Sequence, residues 1–369
     1  MLTYFDVVEH LITSSFGGPQ DAEQRDIRTA VQRAYAEVTQ IRDWAYYHVH
    51  GRVITTPSES VTLIDMGSNT FDASGSGAHD RVRVGERVAD VASWSMGILT
   101  TGPLHFPAGT VSANGSQATA YTTLYPLPAD FRNLDEPSSE FHWWSGIYVT
   151  PDQAMKLERV SNTSGPPYHW TIVKDPDSDG WALKIFGYPT SEETIDFVYR
   201  RSPRPLRYSG HEASARVGTI SRAASANVIG SGTQFSSDMV GSILRVGDTT
   251  NLPGPITSII PYKSETRISR VVSGTTVVTD ASSTIASSTK YLITDPIDVA
   301  PHMHNVIYSA AEYWLARIRN QKPDNAFAMY QRDLRLAMEM DQLAPLSGRS
   351  PEVWNDHGWR SPLKPDGGA

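Results

Sequence analysis

The chain has 369 residues, a net charge of -8 and no cysteine, so neither a disulfide framework nor a thiolate metal site is available and packing or assembly must hold it together. Its pI near 5.8 lacks the basic footprint with which Lys and Arg displace counterions from phosphates, which argues against a protein that reads DNA sequence. A hydrophobic share of 39% and a charged share of 20% fit a globular protein with about two or three cores.

Asp6 and Glu9 interrupt the first apolar stretch and no basic leader precedes it, so no signal peptide is expected. No apolar run approaches the ~20 residues that span a bilayer, and the chain is expected to be soluble and to stay where it is made. A short helix is predicted over residues 3–13, where Phe5, Val8, Leu11 and Ile12 make a stripe that ends before Gly17, Gly18 and Pro19. A second helix is predicted over residues 21–42. Asp21 and Gln24 have the spacing of a capping box, and Ile27, Ala30, Val31, Ala34, Val38 and Ile41 repeat at helical spacing. Trp44, Tyr46 and Tyr47 follow, and an aromatic cluster there reads as core closing over a helix end rather than as a partner-binding patch.

Residues 48–57 alternate Val49 and Val53 with polar neighbours, a strand pattern. Short β runs broken by Gly, Ser and Asn continue through residues 58–125, including 81–84 and 118–124. A second strand-rich block starts at Phe141 and runs through 146–149, 168–174, 181–186 and 194–200, with the last two bracketing a turn at 187–191. A third block, 217–294, has Thr, Ser, Val and Gly at short intervals, as in a compact antiparallel module. Its Ser/Thr-rich piece 273–290 reads as strands, since Val271, Val272, Val277, Val278 and Ile285 interrupt it regularly. Arg83-Val84-Gly85-Glu86 echoes Arg245-Val246-Gly247-Asp248, a weak sign that the first block repeats the third.

Helix then returns. Pro301 suits a first turn, and Met303, Val306, Ile307, Ala310, Trp314 and Ile318 form a stripe that stops before Pro323. Asp324 can cap a further helix carrying Phe327, Tyr330, Leu334, Ala337 and Met338, ended by Pro345. Neither 21–42 nor 301–343 can bury its apolar face alone, so the two stretches are expected to pack together with the β-rich middle inserted between them. The tail 344–369 is rich in Pro and Gly yet holds Trp354 and Trp359, a composition suited to docking on a partner.

The chemical motifs are sparse. Asp175 to Gly180 resembles a calcium loop, but Phe186 occupies the place of the bidentate Glu and strands flank it, so a hairpin turn is expected. His48 with His50, and His302 with His304, are spaced by two; without a reason for the pairs to meet they read as structural. Gly75-Ser76-Gly77 and Gly230-Ser231-Gly232 lack the Lys and helix start of a phosphate cradle. No nucleophile elbow is present, and no acid/base pair can be chosen without geometry. No cofactor, metal or catalytic residue is therefore assigned. The one local basic cluster is Arg200, Arg201, Arg204 and Arg207, suited to phosphates, to acidic surface on a neighbouring subunit, or to solvent.

Several stretches together resemble the head-to-tail adaptor (connector) proteins of tailed double-stranded DNA bacteriophages. They are Arg25-Asp26-Ile27-Arg28 with Ala34-Tyr35, Trp44 followed by Arg52-Val53-Ile54-Thr55-Thr56-Pro57, Tyr125 through Arg132, Thr194 through Arg201, and Tyr330 through Asp341. The block from Gly218 through Gly230-Ser231-Gly232-Thr233-Gln234-Phe235 to Ser242 resembles a β module common in phage structural proteins.

The resemblance implies an α+β fold. Residues 1–57 and 295–343 would form a helical bundle platform, 58–125 an inserted β module, 126–216 a β-rich domain, 217–294 an inserted sandwich-like module and 344–369 an extended tail. It implies a structural virion protein and not an enzyme: a ring, usually of twelve copies, at the neck under the portal vertex, assembled in the host cytoplasm. Its partners would be the portal, downstream neck or tail proteins and its own copies, with DNA passing through the lumen unread. Trp354, Trp359, Arg349 and Arg360 would contact the portal. Arg200, Arg201, Arg204 and Arg207 would face the lumen or a neighbouring subunit. The alternative is a β-rich receptor- or glycan-binding virion protein in which Trp143, Trp144 and Trp170 stack on sugars.

Overall fold

The computed structural model describes residues 1–14, 21–75, 79–102, 104–134, 147–150, 152, 153, 156, 169–175 and 179–342. Helix α1 (Tyr4–Ser14) starts on a reciprocal cap: Thr3 N–H and Oγ1 donate to Asp6 Oδ2 at 3.0 and 2.9 Å, and Asp6 N–H returns a bond to Thr3 Oγ1. Helix α2 (Asp21–Gln40) buries Ile27, Ala30, Val31, Ala34 and Val38 completely. It ends before Ile41, which the sequence placed on the stripe and which stands exposed. The backbone bends at residues 41 and 42, and Trp44 folds back so that its Nε1–H donates to Val38 O at 2.7 Å. Trp44 and Tyr47 are core, as expected of the aromatic cluster there, but its third member, Tyr46, stands exposed with its hydroxyl donating to Asp298 Oδ1. The side chain of Asp21, half of the expected capping box, lies outside the described residues.

The chain divides into two compact units, one built from His48–Ser202 and the other from the residues before and after it. Within His48–Ser202, β1 (His48–Ile54) leads into a closed six-stranded antiparallel barrel. Its strands are β2 (Glu59–Gly67), β3 (Thr70–Ala73), β4 (Arg81–Val84), β5 (Arg87–Ser95), β6 (Ile98–Thr101) and β7 (Ser116–Tyr121), in the order β2-β3-β6-β5-β4-β7. Alternation sends Val61, Leu63, Phe71, Ala73, Val82 and Leu99 inward, and Phe106 and Val111 of the β6–β7 connection join them. Closure removes the free edges that such short strands would otherwise expose.

After the barrel come β8 (Leu124–Pro126), β9 (Phe131–Leu134), β10 (Ile147–Tyr148), β11 (His169–Lys174), β12 (Trp181–Phe186) and β13 (Thr194–Arg201). They form a three-stranded sheet, β1-β13-β9, and a four-stranded one, β10-β11-β12-β8. Val53, Phe131, Ile195 and Tyr199 of the first share a core with Tyr125, Trp170, Leu183 and Ile185 of the second. Gly51 is required in β1 because a Cβ there would sit 2.5 Å from the Phe197 ring. The expected turn at 187–191 is instead a crossing between sheets: β12 pairs with β11 and β8, whereas β13 pairs with β1 and β9. The crossing is held by Thr55 N–H donating to Glu193 O and Ser58 N–H donating to Pro189 O.

In the other unit, α3 (Ala213–Arg216) precedes β14 (Thr219–Arg222), β15 (Asn227–Ser231), β16 (Ile243–Val246), β17 (Ser264–Ser273), β18 (Thr276–Thr279), β19 (Ile285–Thr289) and β20 (Tyr291–Thr294). These make one seven-stranded antiparallel sheet, β19-β14-β15-β18-β17-β16-β20, around Ile220, Val228, Met239, Leu244, Ile268 and Tyr291. Gly218 takes φ +86° where a Cβ would meet Ser231 O at 2.4 Å, so the entry to β14 needs glycine. The Ser/Thr-rich piece does form strands, β18 and β19. The suspected repeat does not correspond in structure. Arg83 lies in the β4–β5 hairpin of the closed barrel and Arg245 is buried mid-strand in the open sheet.

A 3-10 turn at Pro301–Met303 leads into α4 (His304–Ile318), and α5 (Asp324–Gln342) follows Pro323. The helices from both ends of the sequence share one apolar core: Val7 and Leu11 of α1, Ile27 and Val31 of α2, Val306 and Ala310 of α4, Tyr330 and Ala337 of α5. The fold is thus mixed α and largely antiparallel β, with strand the larger part, one parallel pair (β10 with β11) and one module closed into a barrel.

Candidate assembly surfaces

Polar groups in the helical layer bridge elements rather than line a cleft. Glu37 of α2 accepts from Trp314 Nε1–H of α4 at 2.5 Å and from Tyr330 OH of α5 at 3.1 Å, joining three helices through one carboxylate. Arg33 and Arg317 lie 5.4 and 4.9 Å from the centre of the Trp314 ring, two cation–π contacts. Asp341, almost fully buried at the end of α5, accepts from Ala45 N–H at 3.2 Å. Burial, the nearby N-terminal amine and His302 lower the pKa of His304.

One ion pair ties this helical layer to the seven-stranded sheet, and a second ties residues 204–208 to the end of β20. Arg245 of β16, 1% exposed, places Nη1 and Nη2 at 2.6 and 2.8 Å from the Asp6 oxygens of α1, with Nε 3.3 Å from Glu265 and the Tyr262 ring 4.4 Å below. Burial penalises this cation, yet its bond to Asp6 and the charges of Asp6 and Glu265 raise its pKa above the ordinary guanidinium value. Asp295, following β20, is fully buried. It accepts from Arg207 N–H at 2.6 Å, Tyr208 N–H at 2.7 Å, Ser242 Oγ at 2.7 Å and Arg204 Nη2 at 3.1 Å. A second buried cation, Arg222, donates to Thr279 Oγ1, Ala281 O and the Ser283 carbonyl and hydroxyl.

The basic run is therefore split. Arg200 and Arg201 lie on β13, with Arg200 opposite His48 of β1, while Arg204 and Arg207 belong to the other unit. Arg204 is committed to Asp295. Arg207 is more than half exposed, with its Nη1 3.9 Å from Asp238. Trp354, Trp359, Arg349 and Arg360 lie outside the described residues, as do Trp143 and Trp144. Trp170 is buried in the core between the two sheets, where it offers no face to a sugar. Asp175 N–H donates to Gly180 O across the β11–β12 hairpin and Phe186 packs inward on Val149; residues 176–178 are outside the description. His48 and His50 share one face of β1, and His302 and His304 straddle the turn into α4. Among the described residues no three His, Cys, Asp or Glu side chains gather as a metal site, and no helix is long and apolar enough to cross a membrane.

Sequence reading missed Asp6, Arg245, Asp295 and Glu37. A signal for Arg245 existed: a cation inside Ile243-Leu244-Arg245-Val246 belongs to a strand buried on both faces and needs a buried partner.

Among the described residues apolar side chains are exposed at many places, three of which are candidates for assembly. On α5, Met329, Leu336 and Met340 are 45%, 51% and 56% exposed and, seven and four residues apart, lie along one stripe. On the barrel, Ile64 of β2 and Ile98 of β6 flank Asp72 of β3 and face outward. The loop between β16 and β17 presents Ile256 and Ile259 to solvent. Searches among known protein families, curated proteins and solved structures find no match to this chain.

Proposed function

We propose that this chain is a head-to-tail adaptor of a tailed phage: a structural virion protein whose helical layer, built from both ends of the sequence, is the platform of a ring. The observation that carries the reading is α5. Its inner face is spent on the shared core through Tyr330 and Ala337, and its outer face still carries Met329, Leu336 and Met340. A heterologous contact of that stripe with a different face of the next copy closes a ring by rotation, usually of twelve. The chain's negative charge suits a channel through which DNA slides, since a strongly basic lining would hold it.

Portal and downstream neck proteins are the partners under this reading. The tail, with Trp354, Trp359, Arg349 and Arg360, is the portal-contacting segment. Native mass measurement of the protein alone and mixed with portal tests it. A closed ring of about twelve copies that binds portal is expected, and a protein that stays monomeric with and without portal sinks it. Truncation after Ala344 should leave the fold intact and abolish portal binding; unchanged co-assembly would count against the role of the tail.

A further inference from the structure

The base of the barrel holds a buried titratable group on which the adaptor reading makes no demand. The chain leaves the barrel through residues 122 and 123, which connect β7 to β8 of the four-stranded sheet. His79 and Asp80, just ahead of β4, grip that connection. Asp80 accepts from Thr123 N–H at 2.9 Å, Thr123 Oγ1 at 3.0 Å and Leu124 N–H at 2.8 Å. His79 Nδ1 lies 3.2 Å from Thr122 Oγ1.

We propose that His79 is a proton-sensitive latch: neutral, it holds the connection between barrel and sheet closed, and protonated, it lets residues 122–124 open. The geometry favours the neutral ring. The His79 side chain is 2% exposed, and the carboxylate facing its Nε2, Glu59 of β2, is 3.7 Å away and 38% exposed, so water weakens its attraction. The Asp80 carboxylate is already spent on the connection. From β5 the group facing His79 is the Trp94 ring, at 6.4 Å, whose buried indole N–H has no hydrogen-bond partner among the described residues. Arg81, next along β4, is paired with Asp90 at 3.3 Å. Burial outweighs Glu59 and Asp80 and lowers the His79 pKa below its ordinary 6.5.

The sign follows from linkage. The open state, with an ordinary imidazole, takes up a proton more readily than the closed one. The stabilisation by neutral His79 is complete above 6.5 and is lost as pH falls from there towards the closed-state pKa. Asp80 acts in the opposite sense: burial raises its pKa above 3.8, so its protonation relieves a desolvation cost as pH falls through the carboxylate range.

Amide hydrogen exchange of the full chain at pH 7.5 and 5.5, corrected for intrinsic rates, tests the latch together with NMR titration of the His79 ring. In the wild type the Thr123 and Leu124 amides should exchange faster at the lower pH, by up to about tenfold per pH unit within the window. The amides paired between β3 and β6 should not change. H79Q should abolish the pH dependence. E59Q, which removes the remaining attraction for the cation, should open further than wild type at pH 5.5. Equal acid opening in H79Q overturns the proposal. Should H79Q fail to fold, a wild-type ring titrating at or above the ordinary value, or an E59Q that opens no further than wild type, overturns it equally.

Discussion

Arg245 and Asp6 face each other with both guanidinium nitrogens on both carboxylate oxygens, at 2.6 and 2.8 Å, and Asp6 is also half of the cap that starts α1. One carboxylate thus serves helix initiation and the joint between helix and sheet. Asp6→Ala leaves the buried Arg245 with only the 3.3 Å contact of its Nε to Glu265 and removes the cap, and should destabilise the protein by about 3–5 kcal/mol. Asp6→Ala with Arg245→Met should cost less than Asp6→Ala alone, because no charge is left unpaired. Urea denaturation of the three proteins checks the order, and a double variant less stable than the single one would contradict it.

Glu37 takes donors from two other helices, so its loss leaves both Trp314 Nε1–H and Tyr330 OH without their acceptor. Tyr330 is nearly fully buried. Two orphaned donors at about 1–2 kcal/mol each put the cost of Glu37→Ala near 2–4 kcal/mol. The denaturation midpoint should fall while the slope with denaturant stays constant, since the surface exposed on unfolding is unchanged. A midpoint within error of wild type would mean that water replaces the carboxylate at no cost.

Local patterns carried the helices and many strands. The stripe of α2 from Ile27 to Val38 and the break at Pro323 are properties of neighbouring residues, which sequence displays directly. The stripe overran at Ile41 because helical spacing continues past the point where Trp44 folds back on Val38, a tertiary event. The crossing at residues 187–193 read as a turn for a similar reason. The pairing of β13 with β1 and β9, far earlier in the chain, shows that β12 and β13 belong to different sheets. The Asp6–Arg245 and Arg204–Asp295 pairs, separated by 239 and 91 positions, have no local trace beyond a charge in an apolar run. The exposed stripe of Met329, Leu336 and Met340 lies outside the predicted apolar stripe of Phe327, Tyr330, Leu334, Ala337 and Met338, and its exposure is legible only after folding.

Alkaline titration reports the buried cores of both units, since burial also raises the phenol pKa of Tyr4, Tyr291 and Tyr330. Burial pushes Tyr121 and Tyr125 up to about 12, and burial with a bond to Asp130 does the same for Tyr199. A phenol whose folded pKa exceeds its unfolded value near 10 contributes stability fully below pH 10, and that contribution disappears as pH rises through the folded value. Two units correspond to about 2–3 kcal/mol for a buried phenol such as Tyr125. Absorbance at the phenolate band should therefore rise in two phases, and Tyr125→Phe should remove amplitude from the later one only. A single phase centred near the ordinary value would show these rings to be open to water.

The α5 stripe gives the adaptor reading a test that separates assembly from folding. Leu336 and Met340 are more than half exposed, so replacing both with Asp removes little native packing and should change monomer stability by no more than about 0.5 kcal/mol each. In a ring the same positions lie against the next copy, where two unpaired carboxylates per interface cost several kcal/mol of desolvation. Each closed ring repeats that penalty at every interface, so the variant should sediment as a monomer with wild-type circular dichroism and thermal midpoint. A variant that still forms the wild-type assembly would remove α5 from the contact and, with it, the observation on which the platform rests.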